Sequence, residues 1–321
     1  MLKVNPDDTI TIPAIGSWPE TEHVFEKKSI WAVNAALTAQ RPLLIRGEPG
    51  IGKSQLARAA AHALGRVFIS EVVHARSECQ DLLWHFDALS RLGEAQALGA
   101  ACQDVNVKEA LDPLKFLSPG ALWWTFNWKT AEEQSLKSAN RVRKPEKPEA
   151  WSQEKGSVLL IDEIDKADAD LPNGLLETLG NGAFTVPYTD DPVILETGTP
   201  SPLVVITTNE ERELPSAFIR RCLVLRMKLA DDKDELTEWL VKRGRIHFGQ
   251  ACSEKVCKTA AEMLWEDRQQ AIRRNHPAPG QAEYLDILRA LKKMGKNETE
   301  QSDALEIIAE FALKKYPEDY S

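Results

Sequence analysis

The run Gly47-Glu-Pro-Gly-Ile-Gly-Lys-Ser54 fits G-x-x-x-x-G-K-S/T at every fixed position. Each choice suits a phosphate chain. Glycines let backbone N–H groups curl around an anion with no Cβ in the way. The alanine-rich stretch Ser54–Leu64 reads as a helix whose positive end faces the same place. Lys53 supplies charge for β- and γ-phosphates, and the Ser54 hydroxyl can ligate Mg²⁺. The binding set is therefore Gly47, Glu48, Pro49, Gly50, Ile51, Gly52, Lys53, Ser54 and Gln55. A glycine turn alone can arise by chance. Here an apolar strand, Pro42–Arg46, precedes it and a helix follows, which is the context such a loop needs.

A second constellation is Val158-Leu-Leu-Ile-Asp-Glu163, an apolar strand ending in two acids. Ligands sit at the C-terminal edge of a parallel sheet. There Asp162 can hold Mg²⁺ through water, and Glu163 can act as general base on an attacking water. A solvated strand end is the bland alternative, and pairing with the phosphate loop argues against it. Val204-Val-Ile-Thr-Thr-Asn209 ends another apolar strand in a neutral polar group. Asn209 can bond the lytic water or γ-phosphate, the alternative being an Asn that only starts a turn. In Leu214-Pro-Ser-Ala-Phe-Ile-Arg-Arg-Cys222, Arg220 and Arg221 follow a short helix. An arginine given to a neighbour's γ-phosphate stabilises transition-state charge, whereas a solvated pair does little.

The elements that must position these groups alternate between strand and helix. Glu22–Ala39 reads as a helix, with Ile30, Val33 and Leu37 on one face. Strands are expected at Pro42–Arg46, Val67–Val73, Val158–Ile161, Leu203–Thr207 and Cys222–Met227, with a helix at Asp168–Leu179. Nearly continuous apolar strands between helices argue for a buried parallel sheet. Beyond Asp231 the pattern is helical, capped by Asp231 or Asp232 and continuing through Val256–Ala271, Tyr284–Met294 and Ala304–Lys315. The expected division is an α/β core, residues 1–230, and a helical lid, residues 231–321. The polar, proline-broken stretch Trp128–Lys155 reads as a surface loop.

The chain has 321 residues, 43% of them hydrophobic, and a formal charge of −9. The acidic balance weighs against nucleic acid as the main partner. Trp123, Trp124 and Trp128 beside Lys137, Arg141, Arg143 and Lys144 leave a local single-strand contact open. The cysteines are Cys79, Cys102, Cys222, Cys252 and Cys257, an odd number without a CxxC pair, so a reducing cytoplasm is expected and a zinc site is not. No apolar run approaches the roughly 18 residues of a membrane span.

The ordered set of phosphate loop, Ile-Asp-Glu, Thr-Thr-Asn and Arg-Arg-Cys resembles the AAA+ ATPases, and its details resemble their MoxR-like branch. Those details are Arg41-Pro-Leu-Leu-Ile-Arg46 ahead of the loop, Phe116-Leu-Ser-Pro-Gly-Ala-Leu-Trp-Trp124, Ile161-Asp-Glu-Ile-Asp-Lys-Ala167, Leu171-Pro-Asn-Gly-Leu-Leu-Glu177 and Gly182-Ala-Phe-Thr-Val-Pro187. The likeness covers residues 20–228. It implies a P-loop α/β fold with a five-stranded parallel sheet in the order 5-1-4-3-2 and a C-terminal all-helical lid. It implies ATP and Mg²⁺ between subunits of a homo-oligomeric ring, expected to be a hexamer. Asn209 would sense the γ-phosphate, and Arg221, with Arg220 in reserve, would be the finger. Phe184–Pro187 with Val193–Glu196 would form a hairpin, and part of Arg76–Gly99 an insertion. Such proteins commonly remodel a separate partner with a von Willebrand A domain. A motor subunit of a restriction or phage-defence complex is the competing reading. A slow nucleotide switch is the third, and the intact Asp162-Glu163 pair opposes it. One position departs from the pattern: Gln281, in Pro277-Ala-Pro-Gly-Gln-Ala282, stands where relatives carry a cation at the start of a late lid helix.

Overall fold

The computed structural model describes residues 1–101, 106–139, 144–295 and 297–314. They form two compact units. One comprises Met1–Val4, Lys28–Ile45 and Ala57–Leu225, the other Asn5–Lys27, Arg46–Leu56 and Arg226–Ser321. The expected division at 230/231 is therefore redrawn. The helical unit begins at Arg226 and also takes an N-terminal segment and the phosphate loop.

The first unit is built on strands β1 (Leu43–Arg46), β2 (Val67–Val72), β3 (Ser157–Asp162), β4 (Leu203–Thr208) and β5 (Leu223–Arg226). Among the described residues they form one sheet in the order β5-β1-β4-β3-β2, the 5-1-4-3-2 order expected. β4 runs parallel to β3 with Leu203 opposite Val158, and β2 runs parallel to β3 with Val67 opposite Ser157. On the far side the Leu223 N–H bonds the Pro42 carbonyl at 2.8 Å. Val158 to Ile161 are wholly buried, as a strand covered on both faces must be. Because the strands are parallel, the residues that follow β3 and β4 share one sheet edge.

Helix α1 (Lys27–Ala39) is shorter than expected, because Thr21–Val24 is a strand paired antiparallel with Thr9–Ile12. Helix α2 (Lys53–Leu64) and helix α3 (Asp170–Asn181), with Pro172 in its first turn, lie within two residues of their expected starts. Ala183–Phe184 pairs antiparallel with Val193–Ile194, a hairpin shorter than the expected Phe184–Pro187 with Val193–Glu196 and beginning one residue earlier.

Trp128–Lys155 is not simply a loop. Trp128–Lys137 is a helix whose Asn127 side chain accepts from the Thr130 N–H. Trp123, Trp124 and Trp128 are buried in the unit's core. The Trp124 and Trp128 rings lie 4.9 Å apart, and Trp151 lies 4.7 Å from Trp128. The tryptophans hold that segment down, which outweighs its polar composition. Lys144 is ion-paired with Glu132. Arg141 and Arg143 lie outside the described residues, as does Cys102.

The second unit contains α5 (Lys233–Phe248), α6 (Glu254–Arg273), α7 (Gln281–Met294) and α8 (Glu298–Leu313). Asp232, one of the two expected caps, accepts from the Asp234 and Glu235 N–H groups at 3.0 Å. Leu236, Leu240, Val256, Leu264, Ile287 and Leu288 share a core that also takes Ile51 from the phosphate loop. The Arg243 guanidinium ties the N-terminal hairpin to α5 by bonding the Val24 carbonyl at 3.2 Å and Glu26 at 2.8 Å. These contacts explain why both segments belong to the helical unit. No helix among the described residues is long and apolar enough to cross a membrane, and no group of three metal-ligating side chains occurs among them.

Candidate functional site

The phosphate loop follows β1 directly and runs into α2. Gly47 and Gly50 are required by space as well as by conformation. A Cβ on Gly47 would lie 2.3 Å from the Met227 carbonyl oxygen, and one on Gly50 would lie 2.7 Å from the Ala282 Cβ. Both have positive φ, so a side chain would be strained as well as crowded. Such a backbone offers its N–H groups to an anion, and the α2 terminus adds its partial charge. Lys53 is buried, its ammonium donating to the Gly47 carbonyl at 2.7 Å and to the Glu48 carbonyl at 2.8 Å. These bonds hold the cation against the loop it is expected to serve. The cradle and its lysine fit a phosphate chain.

The acids are organised by Thr207, which is completely buried on β4. Its hydroxyl donates to the Asp162 carboxylate and accepts from the Glu163 N–H at 2.9 Å. One side chain thus fixes a candidate Mg²⁺ acid and the backbone of the candidate base. Glu163 is left-handed, with φ 58° and ψ 46°. Backbone strain of this kind in a non-glycine residue persists only where the surroundings enforce it. Asn209 Nδ2 donates to Glu163 Oε1 at 3.2 Å. Asp162, Glu163 and Asn209, read separately from the sequence, are brought together.

Asp165 is a residue of this site that the sequence motifs do not single out. It is buried and accepts from the Asn209 N–H at 3.4 Å and the Glu211 N–H at 2.9 Å, so it fixes the turn that carries Asn209. The repeated acid in Ile161-Asp-Glu-Ile-Asp165 is the signal that points to it.

Arg220 and Arg221 end helix α4 (Ser216–Arg221), immediately before the N-terminal end of β5. That is the sheet edge opposite the acids, so a single sheet does not bring these arginines to Glu163. Both are exposed. Their backbone is pinned by Arg41, which donates from Nε to the Arg221 carbonyl at 3.0 Å and from Nη2 to the Arg220 carbonyl. The next residue, Cys222, is buried, and burial pushes its thiol up to about 11, with the Arg41 charge opposing, so it stays a thiol. Gln281 opens α7, and its Oε1 lies 3.9 Å from where a Gly52 Cβ would sit. A neutral amide therefore stands beside the loop at the start of this helix.

Thr207→Val keeps shape and removes the hydroxyl. It is expected to lower the ATP turnover number about tenfold, by removing the hydroxyl's bonds to the Asp162 carboxylate and the Glu163 N–H, with little change in KM. It should also lower stability by about 1–3 kcal/mol, since the Glu163 N–H loses its partner. Steady-state kinetics and a urea midpoint check both.

The family model for "AAA domain (dynein-related subfamily)" matches residues 42–222. None of the curated proteins compared matches the chain. Solved structures similar to it include a mutant of Thermotoga maritima RuvB, at 17% identity over 89% of this chain and 68% of that one, with a TM-score of 0.47. Another is the Thermotoga maritima RuvB Holliday junction branch migration motor, at 17% identity over 89% and 67%, with a TM-score of 0.41.

Proposed function

Given that the chain belongs to the AAA domain family, dynein-related subfamily, and is an ATPase of that family, we propose that it is a MoxR-type remodelling ATPase acting on a separate protein partner. Gly47–Ser54 and Gln55 hold the nucleotide, with Lys53 on the β- and γ-phosphates. Ser54 and Asp162 would hold a Mg²⁺ ion, which would supply charge neutralisation on those phosphates. Glu163 takes the proton of the attacking water, and Asn209 orients Glu163 and the γ-phosphate end. Arg221, with Arg220 in reserve, serves the neighbouring subunit of a homo-oligomeric, hexameric ring in the cytoplasm. The observation that carries this reading is the Thr207-organised acid pair with Asn209 bonded to Glu163.

The choice of a protein partner rests on Trp123, Trp124 and Trp128. Their burial takes away the aromatic stacking surface that was the support for a nucleic-acid motor. With Lys144 paired to Glu132, the basic stretch beside them carries less free charge. A partner bearing a von Willebrand A domain is the occupant this branch suggests.

A pull-down with tagged Glu163→Gln in ATP is expected to retain one protein partner stoichiometrically and to release it in ADP. Recovery of DNA or RNA in its place, with ATP turnover stimulated by nucleic acid in a salt-sensitive way, would favour the motor reading.

A further inference from the structure

Arg268 lies on α6, more than 200 residues from the phosphate loop in sequence, and only 4% of it is exposed. A guanidinium cannot shed its charge, so burial demands a close partner. Its partner is Glu48, the second residue of the phosphate loop. Nη2 donates to Oε1 at 2.7 Å, and Nη1 lies 2.7 Å from Oε2 as an ion-pair contact without a second hydrogen bond. Nη1 also donates to the Pro279 carbonyl at 3.1 Å. Pro279 precedes Gly280, the cap of α7, and the next residues reach the loop, where Ala282 closes on Gly50.

Two physical consequences follow. Glu48 places a carboxylate in a loop whose task is to receive an anion, and unpaired it would repel the phosphates. The guanidinium, bonded to the Glu48 carboxylate on one nitrogen and to the Pro279 carbonyl on the other, also fixes direction, so Arg268 sets where the Glu48 backbone sits and with it the curvature of Gly47–Gly50. No cation opens α7, since Gln281 is there.

We propose that Arg268 is the positioning residue through which the helical unit sets the phosphate loop, neutralising Glu48 and holding the loop in its anion-receiving shape. The inference rests on the nucleotide site proposed above. Arg268 acts through Glu48 and touches no phosphate.

The test is equilibrium binding of a fluorescent ADP and of ATP to the full chain, at low and high salt, alongside ATP turnover. Arg268→Gln leaves Glu48 unpaired and is expected to weaken both nucleotides about tenfold or more, most strongly at low salt. Glu48 serves the phosphates through its backbone, which Glu48→Gln keeps; with Arg268→Gln it removes both charges and is expected to bring affinity back to within about threefold of the unsubstituted chain. Arg268→Lys keeps the charge but cannot bond Glu48 and the Pro279 carbonyl from one planar group, and is expected to fall between. If Arg268→Gln does not fold, the comparison of Arg268→Lys with the double variant carries the test. Unchanged affinity in the folded single variants would overturn the proposal, and so would a double variant as weak as Arg268→Gln, since the loss would then be general damage. Failure of the unsubstituted chain to bind nucleotide would instead defeat the site itself.

Discussion

Replacing Glu163 by Gln is expected to cut ATP turnover by roughly 10³-fold, within the range a positioned general base contributes, and to leave nucleotide binding intact. The substitution changes little besides the proton. The Glu163 N–H keeps its bond to the Thr207 hydroxyl, and the amide oxygen can still accept from Asn209 Nδ2. The left-handed backbone at this position has its N–H bonded to Thr207, a bond that does not involve the carboxylate. What is lost is a group able to take a proton from water as the γ-phosphate bond breaks. Phosphate release at saturating ATP, beside the affinity for a fluorescent nucleotide, separates the two effects. Turnover within a few-fold of the unsubstituted chain would remove Glu163 from the base role and leave Asp162 to be examined next.

Arg221→Ala is expected to lower turnover by about 10³-fold, the low end of arginine-finger effects, again with binding nearly intact. Its placement is the argument. Arg221 precedes β5 at the edge of the sheet away from the acids, exposed, on a backbone held by Arg41. The sheet does not bring an arginine so placed to Glu163 of its own chain, which is what the proposed action in trans requires. A head-to-tail ring interface takes the base from one subunit and the arginine from the next. In an equal mixture of Glu163→Gln and Arg221→Ala subunits assembling at random, about a quarter of the interfaces regain both groups. Turnover is expected to return to about that fraction of the unsubstituted value. Absence of recovery at every mixing ratio would count against action in trans. Arg220→Ala should have a smaller effect if Arg221 is the finger.

The strands were legible because each is a short apolar run buried on both faces, a pattern that hardly depends on its surroundings. The order of the sheet was not readable from those runs, and it entered through the family resemblance. The acids and Asn209 were legible because they end such runs at the sheet edge where ligands bind. Elements whose stability comes from distant partners were less visible. Thr9–Ile12 and Thr21–Val24 are too short to announce a hairpin, and α5, more than 200 residues later in sequence, holds them through Arg243. The helix Trp128–Lys137 hid in a polar stretch because its anchor is a cluster of rings contributed by several segments. Arg268 offered no signal, since a lone arginine in an amphipathic helix looks solvated until its pairing with Glu48 is seen. Thr207 looked like one more strand residue, and its hydroxyl matters only once β3 and β4 are neighbours.

The central claim is that the glycine turn grips the nucleotide that Glu163 cleaves. Its most direct measurement is retention of radiolabelled ATP, with Mg²⁺, by purified Glu163→Gln and by the same chain also carrying Lys53→Ala. The expected result is uncleaved ATP held by the first and none by the second, with both equally folded by circular dichroism. Equal retention by the two would mean that the phosphates are held somewhere other than Gly47–Ser54, and the assignment would be contradicted.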